Sequence, residues 1–171
     1  MGKSFRERVH EAREHVAMLA PDDARKLLDR GGVTLIDVGG VLLIDVGEEW
    51  QLRERGTIPG ARNITRGELE IRADTEQERR DPALQDRQQK IILTCGGGGK
   101  ATLSASALLE MGFTDVSVIR GGCRGWQRAG YPLEPYPAPI SGVYPLSDEE
   151  RTAVRAGMDA ARRGDFASEI D

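Results

Sequence analysis

Short apolar runs alternate with amphipathic stretches along most of the chain. The β-branched run KIILTC at residues 90–95 predicts a buried strand, and the small-residue segment KATLSASALLEMG after it predicts a helix that ends at Gly112. The same alternation recurs elsewhere. Further strands are predicted at the beginning of residues 17–32, within 32–47, at 61–64 and at 115–119. Further helices are predicted in the second part of 17–32, at 48–56, within 66–88 and at 121–130. This order indicates an α/β fold, in which helices cover both faces of a parallel sheet.

One strand signal occurs twice in succession. Residues 32–39 read GVTLIDVG and residues 40–47 read GVLLIDVG, so the two copies differ at a single position. Each copy looks like one short buried strand that ends in an aspartate, Asp37 in the first and Asp45 in the second. The repeat therefore offers two strands where the surrounding pattern needs one.

The composition is that of a globular protein with neither a nucleic-acid nor a membrane partner. The 171 residues are 39% hydrophobic and 30% charged, and the net charge of −4 comes without a dense basic stripe. No apolar run approaches the roughly 20 residues that a membrane span needs. The N-terminus, MGKSFRERVHEAREH, is charged and has no apolar signal core. We expect a cytoplasmic protein whose residues 1–17 form a surface helix.

Cysteine usage excludes two further classes of protein. The chain has two cysteines, Cys95 and Cys123, and neither has another cysteine close to it in sequence. This spacing fits neither a disulfide framework nor a zinc site. We expect no metal and no other cofactor.

The C-terminal part of the chain has a different character. Five of the eight prolines fall within residues 132–145, which predicts a linker or surface strap. Beyond it, Ser147 and Glu150 have the spacing of a capping box and predict a last helix. This helix docks loosely, which we favour, mediates self-association in a homodimer, or stays partly free. The expected division is an N-terminal helix (1–17), a globular domain (18–134) and a proline-rich linker with a C-terminal helix (135–171).

The segment TCGGGGKA, residues 94–101, joins the strongest strand signal to a helix. In an open α/β sheet, ligands bind beyond the carboxyl ends of the strands, which is where Cys95 falls. Glycines allow backbone N–H groups to turn inward, and the helix N-terminus adds positive potential, so both favour a nucleophilic thiolate. Two alternatives are a glycine-rich turn with an inert buried cysteine and a phosphate-binding loop. The latter needs Ser or Thr after the lysine, whereas Ala101 follows Lys100.

Five segments resemble, in order and with similar spacing, the motifs of the rhodanese family of single-domain sulfurtransferases. They are LIDVG, GTIPGARNI, LTCGGGGKA, LLEMGFTDVSVIRGG and GWQRAGYPLE, and they cover about residues 18–134. TRGELEI further resembles a PRGxLEF segment of one bacterial branch of the family. The resemblance implies a rhodanese-like sheet of five parallel strands in the order 1-5-4-2-3, with helices on both faces.

The resemblance also implies covalent sulfur transfer. Cys95 attacks thiosulfate or a similar small anionic donor and holds the sulfur as a persulfide, which cyanide or a thiol acceptor then removes. The loop from Cys95 to Lys100 has six residues, as in rhodaneses, whereas related phosphatases and arsenate reductases have seven. The implied substrate-binding residues are Gly96, Gly97, Gly98, Gly99 and Lys100, and Arg66 is added as a cation that attracts anionic donors, with a solvated surface arginine as its alternative.

Three residues depart from the family pattern. Lys100 replaces an arginine, which exchanges a planar fork for a point charge. Gly47 replaces the arginine of LIDVR and so removes a cation near the site, and Thr57 replaces a histidine. These departures keep an alternative open, namely a catalytically weak or inactive rhodanese-like module that binds or regulates.

The implied sheet also decides between the two copies of the repeat. The LIDV strand has neighbours on both sides, so one copy alone fits into the sheet. We expect it to be the second, Val41–Val46, because Leu42 makes it the more apolar copy and its link to the site is shorter. Asp45 then takes the family's aspartate position near the site.

The remaining candidates close to the site have ordinary structural roles as their first interpretation. Cys123 is expected at the active-site end of the next strand, where packing is favoured over resolution of a Cys95 persulfide. Trp126 and Trp50 are both expected to pack in the core, and Arg62 is expected to be a solvated surface residue.

Overall fold

Strands and helices alternate through residues 2–31 and 40–136, which are the residues that the computed structural model describes. The strands are β1 (Ala17–Leu19), β2 (Leu42–Asp45), β3 (Arg62–Asn63), β4 (Ile91–Thr94) and β5 (Val116–Ile119). The helices are α1 (Phe5–Ala12), α2 (Pro21–Gly31), α3 (Glu49–Arg55), α4 (Arg66–Ala73), α5 (Gly99–Glu110) and α6 (Gly122–Arg128), with a short 3₁₀ helix at Pro82–Leu84.

The five strands form one parallel sheet in the order β1-β5-β4-β2-β3. This order confirms both the α/β class and the strand order expected from the sequence. Asp45 at the end of β2 lies in register with Thr94 at the end of β4. The loops that follow these two strands therefore leave the same edge of the sheet, which is where ligands bind in open α/β folds.

Successive residues of the central strands pack on opposite faces of the sheet. Ile91 and Leu93 belong to one apolar cluster, while Ile92 belongs to the cluster on the other face. Every residue of β2, β4 and β5 is buried, as expected for a parallel sheet that is covered on both faces. Trp126 of α6 lies in the second cluster with 1% of its surface exposed, so its predicted core role is confirmed.

Helix α5 packs against the sheet through a face that combines small side chains with Leu108. Ala101 and Ala105 are completely buried there. On its other side, Leu103 packs against Val9 and Ala12 of α1. The N-terminal helix is therefore attached to the helix that begins at the Cys95 loop.

The second copy of the repeat supplies the sheet strand. Its residues Leu42–Asp45 form β2, between β4 and β3, which confirms the assignment made from the sequence. The first copy, residues 32–39, lies outside the described residues, and so does the predicted C-terminal helix within residues 137–171.

Replacing Asp45 by Ala is expected to destabilise the protein strongly. Its carboxylate is fully buried and accepts hydrogen bonds from Gly47, Arg55 and Thr57. Removing one partner of a buried ion pair costs about 3–5 kcal/mol, because the other charge stays buried without compensation. Denaturant unfolding measures the change, and Asp37→Ala, at the same position of the first copy, is the matched control. A larger loss from Asp37→Ala than from Asp45→Ala contradicts the assignment of the strand.

Candidate active site

Cys95 directly follows β4 and opens the loop that leads into α5. Its side chain is nearly buried, at 4% exposure, and its sulfur accepts a hydrogen bond from the backbone N–H of Gly98 at 3.2 Å. Gly98 has φ of +90°, a left-handed conformation that glycine adopts without strain. The loop glycine therefore serves a specific purpose, because its conformation turns an amide toward the sulfur.

The N-terminus of α6 is hydrogen-bonded to the loop that begins at Cys95. The N–H groups of Cys123 and Arg124 donate to the carbonyl oxygens of Cys95 and Gly96, at 2.8 and 3.1 Å. Gly122 makes this approach possible, because a Cβ at that position would lie 2.1 Å from the Cys95 oxygen. Loop carbonyls are thus bonded to α6, and amide N–H groups remain for the sulfur and its ligands.

The start of α5 adds to the positive potential around the sulfur. Gly98 is its N-cap, and the carbonyl of Gly98 accepts from both the N–H and the hydroxyl of Thr102, at 2.9 and 2.8 Å. The helix N-terminus carries a partial positive charge, which favours anions nearby. Cys95 and an anion bound above it both benefit from this field.

A cleft of about 630 Å³ opens above Cys95. Its walls come from three elements that are distant in sequence, α1, α3 and α6, and among its lining residues are Phe5, Trp50, Arg55, Gly96, Gly97, Gly99, Lys100 and Cys123. The sequence predicted that Gly96, Gly97, Gly99 and Lys100 surround the sulfur, and these residues do lie together with Cys95. Gly98 is not among the lining residues, and its backbone N–H donates to the Cys95 sulfur.

Trp50 contradicts its predicted role. It is 59% exposed and lines the cleft, instead of packing in the core. Leu52, two positions further along α3, is completely buried, and two residues correspond to about 200° around a helix, so Trp50 falls on the outer face. Phe5 of α1 is similarly exposed, at 56%, and lies close to Gly99 of the loop. Sequence reasoning missed Phe5 because α1 precedes the recognisable motifs.

Lys100 directs its ammonium group toward α3. Its Nζ donates to Oε1 of Gln51 at 3.1 Å and lies 3.6 Å from Oε1 of Glu48. The lysine thus ties the start of α5 to the start of α3 across one wall of the cleft. Its role in binding substrate stays a prediction, and a substrate anion at this wall would share the ammonium with these two side chains.

A buried ion pair lies at the base of the cleft. Both carboxylate oxygens of Asp45 are 2.9 Å from Nη2 of Arg55, and Thr57 Oγ1 donates to Asp45 at 2.7 Å. Arg55 was not among the residues singled out from the sequence. It is the last residue of α3 before Gly56. Basic residues are common in the last turn of a helix because they interact favourably with the helix dipole, so nothing in the sequence singled it out.

Cys123 lies in the apolar cluster of the second face and is completely buried. Burial raises the pKa of its thiol to about 12, and the neighbouring Asp45 carboxylate acts in the same direction. The sulfur accepts from Nη1 of Arg55 at 3.0 Å, and its S–H donates to Oδ2 of Asp45 at 3.6 Å. Cys123 is therefore a protonated thiol near neutral pH, in agreement with its expected packing role.

Arg66 requires a correction. It begins α4 and lines a separate cavity of about 140 Å³ beside Leu103 and Glu70, so it is not part of the cleft above Cys95. The reason is that α4, which follows the short strand β3, packs against α5. Arg62 is also remote from the cleft, and it forms a partly buried ion pair with Asp81 instead of the expected solvated surface position.

Neither a metal centre nor a membrane span is found in the part of the chain that the structure describes. No group of three or more His, Cys, Asp or Glu side chains in residues 2–31 and 40–136 has the arrangement needed to hold a metal ion. Among the same residues, no helix combines the length and apolar character required to cross a bilayer.

Comparison with known proteins agrees with the fold and the loop. The family named Rhodanese-like domain matches residues 20–129, which include the strands β2 to β5 and the Cys95 loop, while β1 ends one residue before the match. The chain therefore belongs to the rhodanese-like family. α1, whose Phe5 lines the cleft, precedes the matched residues.

Individual relatives are more distant. A thiosulfate sulfurtransferase named GlpE from Actinobacillus pleuropneumoniae is 37% identical over 49 residues, which are 29% of this chain and 45% of that protein. The matched segment thus spans less than half the length of this curated relative.

Two solved structures cover more of the chain. A protein of unknown function from Rhodopseudomonas palustris, called a possible tyrosine phosphatase, superposes with a TM-score of 0.69 at 28% identity, over 78% of this chain and 96% of that one. The polysulfide-sulfur transferase homodimer of Wolinella succinogenes gives 0.57 at 25% identity, over 81% and 92%.

Proposed function

We propose that the chain is a sulfurtransferase that carries sulfane sulfur on Cys95, from thiosulfate or a similar anionic donor to cyanide or a thiol. The observation that carries this proposal is the Cys95 sulfur at the end of β4, bonded to the Gly98 amide and open to a cleft of about 630 Å³. The relatives named as sulfurtransferases support the same class of reaction.

In the first half-reaction, the Cys95 thiolate attacks the outer sulfur of thiosulfate. A new S–S bond forms, the S–S bond of the donor breaks, and sulfite leaves with the electron pair of the broken bond. Cys95 becomes a persulfide anion, and the total charge is unchanged. Gly96, Gly97, Gly99 and Lys100 line the space in which the persulfide and the departing sulfite would lie, and loop amides suit such anions.

In the second half-reaction, a nucleophile attacks the terminal sulfur of the persulfide. Cyanide gives thiocyanate and restores the Cys95 thiolate, and a thiolate acceptor gives an acceptor persulfide in the same way. No external oxidant or reductant is needed, because each sulfur–sulfur bond that breaks is replaced by one new bond to sulfur. This is covalent catalysis in two steps with one nucleophile.

The test is a thiosulfate–cyanide assay that measures thiocyanate. We expect turnover by the full chain and none above background by Cys95→Ser, a change that keeps size and removes the nucleophilic sulfur. Cys123→Ser is the matched control, since Cys123 is a buried thiol with a pKa of about 12, and it is expected to retain activity. Equal rates for the wild type and Cys95→Ser would contradict the proposal.

A second function, a weak or inactive rhodanese-like binding module, is favoured by the engagement of Lys100. Its ammonium group is already bonded to Gln51 and close to Glu48, which leaves it less available to a donor anion. Cys95 persulfide formation, followed by mass spectrometry after incubation with thiosulfate, separates the two functions. A module that only binds forms no persulfide on Cys95.

The six-residue loop from Cys95 to Lys100 supports sulfur over phosphate as the transferred group, although one structural neighbour is called a possible tyrosine phosphatase. We expect no hydrolysis of p-nitrophenyl phosphate by a preparation that forms thiocyanate.

We also propose a cytoplasmic location, where free thiols stay reduced. A homodimer is a further proposal, supported by the dimeric neighbour from Wolinella succinogenes.

A further inference from the structure

Arg55 reaches from the end of α3 into the Cys95 cleft with both terminal nitrogens engaged. Nη2 lies 2.9 Å from each carboxylate oxygen of Asp45, and Nη1 lies 2.6 Å from the Gly56 oxygen and 3.0 Å from the Cys123 sulfur. A guanidinium has five N–H groups in a fixed fork. The Nε–H group is left over, and it donates to none of the residues that the structure describes.

This remaining N–H group lies beside the loop that carries the nucleophile. A Cβ added to Gly96, the residue after Cys95, would have Arg55 Nε as its nearest neighbour, at 3.7 Å. A Cβ added to Gly47 would lie 2.8 Å from Arg55 Nη2. The guanidinium thus occupies the space that a side chain at position 47 would need, and it supplies a cation at the base of the cleft.

The guanidinium is held in one orientation. Asp45, its ion-pair partner, is fully buried and also accepts from the Gly47 amide at 2.9 Å and from Thr57 Oγ1 at 2.7 Å. The Arg55 side chain itself is 20% exposed, so part of it faces the cleft. A donor group fixed in this way binds an anion without first losing conformational freedom.

We propose, on the basis of the sulfur-transfer function above, that Arg55 is a substrate-binding residue that selects donors carrying an oxyanion group on the sulfane sulfur. The sulfonate oxygen of thiosulfate, or of a thiosulfonate, accepts the Nε–H bond. When the new bond to Cys95 forms and the donor S–S bond breaks, the electron pair stays on the leaving sulfite. Negative charge then concentrates on the group beside Nε, so the hydrogen bond becomes stronger as the reaction proceeds.

The test is Arg55→Lys, which retains a cation for Asp45 but has no N–H at the Nε position. In steady-state assays with thiosulfate and cyanide, we expect kcat/KM for thiosulfate to fall about tenfold, as for loss of one charge-assisted hydrogen bond from the transition state of the first half-reaction. Arg53→Lys is the matched control on the same helix, because Arg53 pairs with Glu49 at 2.6 Å and does not line the cleft.

A second donor separates substrate binding from a merely structural role. The persulfide of cysteamine transfers its outer sulfur to Cys95 and releases a thiolate, with no oxyanion in the reaction. We expect Arg55→Lys to form the Cys95 persulfide from this donor at the wild-type rate. Equal losses with both donors overturn the proposal, and so does an unchanged kcat/KM for thiosulfate.

A double variant covers the case in which Arg55→Lys folds poorly. Asp45→Asn combined with Arg55→Gln removes both charges and leaves no buried carboxylate without a partner, and we expect the same selective loss with thiosulfate. A wild-type chain that takes sulfur from neither donor contradicts the sulfur-transfer function itself. A wild type active with both donors, and a double variant that does not discriminate between them, contradict the role of Arg55 alone.

Discussion

Gly122→Ala is expected to destabilise the protein strongly and to displace the Cys95 loop. The added Cβ would lie 2.1 Å from the Cys95 carbonyl oxygen and 2.8 Å from the Gly98 nitrogen. Both are backbone atoms, so the overlap is relieved only if the loop or α6 shifts as a whole. Gly122 also has φ of +59°, which alanine adopts only with strain. Overlap with backbone, added to this strain, places the loss at about 3 kcal/mol or more.

Gly130→Ala is the matched control for this prediction. Gly130 has φ of +89° and follows the same helix, but a Cβ there meets no atom within 4 Å. It therefore reports the conformational cost alone, about 1 kcal/mol. Denaturant unfolding monitored by circular dichroism measures both variants. Similar losses for the two would show that the loop and α6 separate easily, which contradicts the close contact between Cys95 and Gly122.

The sheet was predictable because its signals are local and redundant. Residues 90–95 carry a run of apolar and β-branched side chains where β4 forms, and Leu42 made Val41–Val46 the more apolar copy of the repeat, within which β2 forms. The Cys95 loop was predictable for the same reason. Its glycines and the following helix are adjacent in sequence, and their geometry follows from short-range rules.

The walls of the cleft were less predictable because they depend on contacts distant in sequence. Phe5 lies beside Gly99 only because α1 packs on α5 through Leu103, and nothing in the first fifteen residues indicates that partner. Trp50 was misassigned because a large aromatic residue favours burial on average, whereas Trp50 and Leu52 lie about 200° apart around α3, so that the helix face that buries Leu52 leaves Trp50 exposed.

The charged residues illustrate the same limit. Gly47 suggested that a cation was missing from the site, yet Arg55 fills the space beside it from the far end of α3. Arg66 suggested a cation at the site, yet α4 carries it to another cavity. The direction of a long side chain depends on the partner it finds, and the partner of Arg55 is a carboxylate ten residues earlier in the chain.

The two cysteines are expected to differ in alkylation rate by at least about a hundredfold near neutral pH, because only the thiolate reacts with iodoacetamide. Burial, with a further contribution from the Asp45 carboxylate, raises the pKa of Cys123 to about 12. Its thiolate fraction at pH 8 is then on the order of one in ten thousand. Cys95 accepts the Gly98 N–H and opens to the cleft, so we expect it to be labelled first.

Peptide mass spectrometry after timed labelling of the native chain measures both rates, and labelling in denaturant, where both cysteines react, is the control. The raised pKa of Cys123 also determines in which direction the free energy of unfolding changes with pH. Because the folded chain holds the Cys123 proton more tightly than the reference value of 9.0, the stabilisation is complete below about pH 9 and is lost as the pH rises toward 12. Cys123→Ser is expected to lack this alkaline loss. Faster labelling of Cys123 than of Cys95 in the native chain would mean that Cys95 is not the nucleophile.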